Sequence, residues 1–243
     1  MDEKVLELKK IVDESDNIVF FGGAGVSTES NIPDFRSVDG LYNIKYKYSP
    51  EVILSHTFYR EHTEEFYEFY RDKMIFPDAK PNKAHIALAK LEKMGKLKAI
   101  VTQNIDGLHQ MAGSTNVFEL HGSIYRNYCQ ECGKSYDIKA IIDSEGVPTC
   151  SCGGKIKPDV VLYEEGLDHK LLANAIKSIM AADVLIIGGT SLAVYPAAGL
   201  IDYFKGSKIV LINKDETPQD GKADLVIHDS IGEVLSQVVT INI

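Results

Sequence analysis

Residues 18–28 read Ile18-Val19-Phe20-Phe21-Gly22-Gly23-Ala24-Gly25-Val26-Ser27-Thr28. Four apolar residues without a polar interruption read as a strand buried on both faces, and the glycines close it with a tight turn. Such a strand belongs in a parallel sheet covered by helices. Glycines at the turn also let backbone N–H groups approach a pyrophosphate at a following helix start. The dinucleotide fingerprint is incomplete, however. Thr28 stands where its third glycine would fall, and no acidic residue follows a second strand at the usual distance. On pattern alone, nucleotide binding and a merely tight strand-to-helix connection stay equally open.

Outward from this turn, helix and strand patterns alternate. Val5, Leu8, Ile11 and Val12 recur at helical spacing before it, and the pattern ends near Asp16-Asn17. Residues 50–75 are helical in pattern and rich in aromatics, and 82–94 form a further helix stopped by Gly95. Strands are expected at 99–102, 117–120, 160–163, 184–187, 208–212 and 225–227. Helices are expected at 171–180, from Pro196 in a first turn, and at 232–239. This alternation implies an α/β fold, a Rossmann-like parallel sheet with helices on both faces. Ligands of such sheets bind beyond the carboxyl ends of the strands. Gly23, Gln103, His121, Gly189 and Asn213 all fall just past expected strands and converge on one crevice.

The chain has 243 residues, 44% of them hydrophobic, enough for a substantial core without disulfides. It holds no long uncharged apolar run, and its start lacks the features of a signal peptide, so a cytoplasmic protein that does not enter membranes is expected. A formal net charge of -9 with no Lys/Arg stripe argues against nucleic acid as the partner and mildly favours cationic ones such as Lys-rich peptides. Cys129, Cys132, Cys150 and Cys152 are the only cysteines. Clustered so, they suit one tetrahedral zinc, with Gly133, Gly153 and Gly154 permitting tight turns around it. Four protein ligands leave no open position, so this zinc is expected to be structural. Only Ser151 separates the second pair, a tighter spacing than usual.

Four further stretches carry chemistry. Ile32-Pro33-Asp34-Phe35-Arg36 breaks any helix after the glycine turn and leaves a loop above it, readable as a cofactor lid or as an ordinary connection with a buried Phe. Gln103-Asn104-Ile105-Asp106 follows a strand and reads either as turn formers or as an amide-rich pocket. His121-Gly122 offers an imidazole that titrates near neutral pH, although a single histidine is more often structural. Gly189-Thr190-Ser191 closes a second apolar strand.

These stretches, Gly23-Ala24-Gly25-Val26-Ser27 and the cysteines, in this order, resemble the sirtuin family, and its bacterial NAD-dependent protein deacetylase branch most, over nearly the whole chain. The resemblance implies that NAD is consumed as a co-substrate and that acetyl-lysine proteins or peptides are the partners of a cytoplasmic, monomeric transferase. It implies His121 as general base, with Asn104 as the other catalytic residue. It implies cofactor contacts from Ala24, Thr28, Phe35, Arg36, Gln103, Ile105, Asp106, Thr190, Ser191, Asn213 and Ile231. Phe35 would shield the reactive sugar face, Gln103 and Asn104 would meet the ribose, and Asp106 with the Ile105 backbone would hold the nicotinamide carboxamide. The acyl oxygen would displace nicotinamide, and His121 would then help a ribose hydroxyl attack the product.

Val160, Val161, Leu162 and Tyr163 resemble the segment that pairs with substrate backbone by strand addition, and equally read as a core strand. Glu164 stands where the family usually has Gly. Members that remove acidic acyl groups share a Tyr-x-x-Arg pair; here Tyr67 is followed by Tyr70, and Arg71 lies about 100° further round the helix. Acetyl-lysine is therefore expected over succinyl-lysine. The expected organisation is a single catalytic unit over 1–243. Its large domain takes about 1–35, 79–125 and 156–243; a small domain takes a helical insert, about 36–78, and a zinc module, about 126–155. The competing expectations are an ADP-ribosyltransferase on the same scaffold, a non-catalytic NAD- or peptide-binding module, and a dehydrogenase.

Overall fold

The computed structural model describes residues 2–35, 40 and 47–239. Helix α1 (Glu3–Glu14), capped by the Asp2 carboxylate, leads into strand β1 (Ile18–Gly22). Three short helices follow, α2 (Pro50–Ile53), α3 (His56–Glu61) and α4 (Thr63–Lys73), and then α5 (Lys83–Lys93), which Asn82 and His85 close with a capping box. Strand β2 (Leu97–Thr102), helix α6 (Leu108–Met111) and strand β3 (Val117–Glu119) precede a small module. That module holds β4 (Gly122–Cys129), β5 (Ser135–Tyr136), α7 (Lys139–Ile142) and β6 (Ile156–Val160). Helix α8 (His169–Ala181), β7 (Val184–Gly188), β8 (Lys208–Ile212), β9 (Leu225–Ile227) and α9 (Ile231–Val238) complete the chain.

Six strands form one parallel sheet in the order β3-β2-β1-β7-β8-β9. Strand order reverses between β1 and β7, the place where such sheets open a ligand crevice. Alternate residues of β1 feed two cores. Ile18 and Phe20 join α1, α5 and α9 on one face, whereas Val19 and Phe21 join α8 and the 3-10 helix Ala197–Tyr203 on the other. A third core packs the aromatics of α3 and α4 against Ile124, Ile141, Ile156, Val160 and Leu162. A second sheet, β5-β4-β6, is antiparallel.

Two expectations are corrected. No α-helix follows the glycine turn; two 3-10 turns, Ala24–Val26 and Thr28–Ser30, stand there and end at Asn31 in a left-handed conformation. Gly25 N–H is drawn sideways to the Gly189 carbonyl, at 2.8 Å, so the chain does not coil onward along one axis. Nor is 160–163 a strand throughout: only Val160 belongs to β6, and Tyr163 makes an isolated parallel bridge to Ser55. Glu165 bends this segment back by accepting the Leu162 N–H at 2.9 Å.

Candidate active site

The floor of the crevice is two glycine turns packed backbone to backbone. Gly23 N–H donates to the Gly188 carbonyl at 3.3 Å and Gly25 N–H to that of Gly189. A Cβ on Gly25 would lie 2.8 Å from Gly189 Cα, and one on Gly189, whose φ is +58°, would lie 2.3 Å from Val26 N. These glycines thus serve close packing of β1's end on β7's end, beyond any approach to a phosphate.

Beside this floor a polar network links the turn to the loop after β2. Ser27 Oγ donates to Asp106 Oδ2 at 2.6 Å and accepts from Asn104 Nδ2 at 3.1 Å. Asp106 Oδ1 accepts from Leu108 N–H at 2.9 Å. Burial raises the Asp106 carboxyl above the usual carboxylate range, and these two donors partly offset it. Gln103 Nε2 donates to Thr190 Oγ1 at 3.2 Å, which also accepts from Leu192 N–H and so ties the loop to the second glycine turn. The sequence pointed to no role for Ser27, although it lay inside a quoted motif; its hub position comes from contacts across 79 residues of chain.

His121 sits in the two-residue turn between β3 and β4. Its Nδ1 lies 3.0 Å from the Gln103 carbonyl oxygen. A carbonyl only accepts, so Nδ1 carries the proton and Nε2 presents a bare lone pair. Burial holds the imidazole below its ordinary pKa, with the Gln103 bond opposing, which keeps it neutral at pH 7. Its own carbonyl accepts the Val161 N–H at 3.0 Å, joining the histidine to the segment after β6. Gly122, at φ +82°, is forced: a Cβ would lie 1.8 Å from the Asp159 carbonyl oxygen.

In that segment the N–H groups of Val161, Leu162 and Tyr163 are all spent internally, on His121, Glu165 and Leu54. Glu164 adopts φ +75°, the left-handed conformation that suits Gly, and its carboxylate accepts from Thr57 N–H and Oγ at the start of α3. Glu165 also holds His56 Nδ1 at 2.9 Å and Lys157 Nζ at 3.2 Å. Tyr67 and Tyr70 are buried in the third core, and Arg71 is tied to the carbonyls of Ile141 and Gly146.

Of the other expected site residues, Ala24, Thr28 and Phe35 are half-buried at or near the glycine turn, with Thr28 Oγ1 donating to the Gly25 carbonyl. Ser191 is exposed, and Asn213 follows β8, its Nδ2 donating to the Asp215 carbonyl. Ile231 is 3% exposed, its side chain in the first core against Gly188. Arg36 lies outside the described residues.

The four cysteine sulfurs lie within 4.8 Å of one another. Zn–S bonds of about 2.3 Å in a tetrahedron set sulfurs about 3.8 Å apart. Cys129–Cys152 at 3.5 Å and Cys132–Cys150 at 3.7 Å fit that figure. The shortened Cys150-Ser151-Cys152 spacing is accommodated by a turn in which Gly153 N–H, at φ +89°, donates to the Cys150 carbonyl. Tyr136 Oη donates to Cys150 Sγ at 2.9 Å, fixing one ligand from outside.

Comparison with known proteins accords with this geometry. The family model described as Sir2 family matches residues 23–196. An NAD-dependent protein deacetylase of Clostridium acetobutylicum is 68% identical over 241 residues, 98% of each chain. One of Clostridium perfringens is 65% identical over 243 residues, 98% of this chain and 100% of the relative. A solved structure of Sir2 with a p53 peptide and NAD+ superposes with a TM-score of 0.86 at 41% identity, over 98% of this chain and 97% of the other. The matched region runs from the first glycine turn, through the histidine and the four cysteines, to the second, and on it the chain belongs to the Sir2 family.

Proposed function

We propose that the protein is an NAD-dependent protein-lysine deacetylase, transferring acetyl from lysine to ADP-ribose with release of nicotinamide and free lysine. The observation that carries this reading is His121: neutral, with its Nε2 open, bonded on one side to the crevice loop and on the other to the segment at Val161. Relatives at 65% and 68% identity bear the same activity in their names.

Bound in the crevice, NAD would supply a nicotinamide–ribose bond labile enough for an acetyl oxygen to displace nicotinamide. His121 Nε2 would take the proton from a ribose hydroxyl. Asn104, held by Ser27, and Gln103, held by Thr190, would orient that ribose. The Asp106 carboxylate and Ile105 backbone would grip the carboxamide. Thr190, Ser191, Asn213, Ala24, Thr28 and Arg36 would serve the phosphates and the adenosine, and Ile231 would meet adenine by its backbone, since its side chain is in the core. Phe35 would exclude water from the sugar face. A peptide laid along Val160, Val161, Leu162 and Tyr163 would find three N–H groups already engaged, which favours side-chain contact there over ladder pairing.

The cysteines would hold a structural zinc; thiolate ligation supports the cytosol as the compartment. Among the described residues no helix is long and apolar enough to cross a membrane. The net charge of -9 supports peptide over nucleic acid as partner. A monomer is part of this proposal, and the mass of the protein in solution tests it. The division into a large part (1–35, 79–125, 156–243) and a small part (36–78, 126–155) is proposed as one catalytic unit over 1–243. Since Arg71 is committed to carbonyls of the small module, acetyl-lysine is the proposed substrate over succinyl-lysine. Mass spectrometry after mixing protein, NAD and an acetyl-lysine peptide tests this. Acetyl-ADP-ribose, nicotinamide and free lysine are expected, whereas labelled protein would indicate ADP-ribosyl transfer and NADH a dehydrogenase. Faster turnover of a succinyl peptide would overturn the acyl preference.

A further inference from the structure

Strand β4 contains a wide bulge. Ser123 pairs with Asp159 and Asn127 with the adjacent Pro158, so residues 124–126 leave the ladder. The bulge leans over the crevice loop: Ile124 N–H donates to the Ile105 carbonyl at 3.0 Å, and the Tyr125 ring stands against Gly107. At its far end Arg126 spans two carboxylates. Its guanidinium holds Glu119 Oε2 at 2.6 Å and Asp159 Oδ2 at 2.8 Å. Glu119 is the last residue of β3 in the parallel sheet and is 8% exposed, while Asp159 lies on β6 in the antiparallel one. One side chain thus bridges both sheets across the turn that carries His121.

We infer that Arg126 is a positioning residue, a clamp that sets the Ile105-Asp106 loop and His121 relative to each other by fixing the β4 bulge between them. The inference rests on the deacetylase reading for its catalytic consequence and on geometry alone for the clamp. Without the guanidinium, the largely buried Glu119 carboxylate loses its cation and Asp159 its partner, so the bulge loses its anchor at both sheets. The bonds from Ile124 to Ile105 and from Val161 to His121 then loosen together. The glycine floor, Thr190 and Asn213 are bonded elsewhere, the two glycine turns to each other, Thr190 to Gln103 and Leu192, and Asn213 to Asp215.

The test compares wild type with R126M, which keeps the aliphatic stem, and R126K, which keeps a charge. Amide exchange at Ile124 and Val161 is expected to accelerate in R126M and recover partly in R126K. In R126M, kcat is expected to fall at least about tenfold, since small misplacements of reacting groups are costly. Nicotinamide is expected to inhibit more weakly, while ADP-ribose affinity and zinc content stay at wild-type values. Unchanged exchange at both amides would overturn the inference. So would a parallel loss of kcat, ADP-ribose affinity and melting temperature, which marks a general scaffold defect. If wild type released no nicotinamide, the deacetylase reading would fail, and the exchange result would still decide the clamp.

Discussion

At the scale of single residues, protonation state and backbone geometry decide the site. The Gln103 carbonyl leaves His121 only one proton position, and burial keeps the ring neutral. His121→Ala is therefore expected to lower kcat by about 10²–10⁴-fold, the range general-base loss commands, with little change in melting temperature. Because the imidazole is held below its ordinary value of 6.5, activity should be lost only as pH falls through that depressed pKa. The acid limb of a kcat profile in the wild type, absent from the residual rate of the variant, checks this. Gly122 allows a second expectation. Gly122→Ala sets a methyl on the Asp159 carbonyl and strains a left-handed residue, so it should cost at least about 2 kcal/mol in denaturant unfolding. Position past a strand left His121, Gln103, Asn104 and Asp106 open to bland readings, and it was the resemblance to the sirtuin family that singled them out. Ser27 and Glu165 were not, since their partners lie 79 and up to 109 residues away and nothing local announces them.

Elements show where periodicity reads well and where it fails. The strands of the parallel sheet were legible because burial on both faces demands an unbroken apolar run, and 208–212 and 225–227 fall within the expected bounds. Strand β4 escaped because one face is wet, exposed Arg126, Tyr128 and buried Asn127 interrupt any apolar run, and its bulge breaks the alternation. The same local forces explain the misread 160–163, which Glu165 turns away from the ladder. Glu164 illustrates a geometry kept against residue preference: the left-handed backbone persists, supported by two bonds to the first turn of α3. Glu165→Gln should weaken the bonds to His56 and Lys157 and raise KM for the acetyl peptide more than KM for NAD, as steady-state kinetics would show. For the small module, elemental analysis should give about one zinc per chain, and chelation should unfold β4–β6, since the cysteines tie the end of β4 to the turn that leads into β6. Full thermal stability of zinc-free protein would refute the structural role.

Over the whole molecule, a buried histidine pair contributes to acid sensitivity. His85 of α5 and His109 of α6 meet edge to face at 4.7 Å, fully buried, and among the described residues His85 Nε2 and both His109 nitrogens have no hydrogen-bond partner. Burial depresses them to about 4 and about 3 from 6.5. The unfolded chain therefore binds protons that the folded one refuses. Stability is full above pH 6.5 and declines as pH falls from 6.5 towards 4, by at most about 1.4 kcal/mol per pH unit for each histidine. Unfolding midpoints measured from pH 7 to pH 4 should fall accordingly, and a pH-independent midpoint would contradict it. The interlocked glycine turns bear on a different stage of the protein's life. Strand β1 is made first yet lies in the middle of the sheet, and its neighbour β7 is separated from it by residues 23–183. During translation, then, one flank of Ile18–Gly22 waits roughly ten to thirty seconds for its ladder partner to emerge. Until it does, the nascent chain exposes an apolar strand edge, an invitation to chaperones or to a neighbouring chain on the same message.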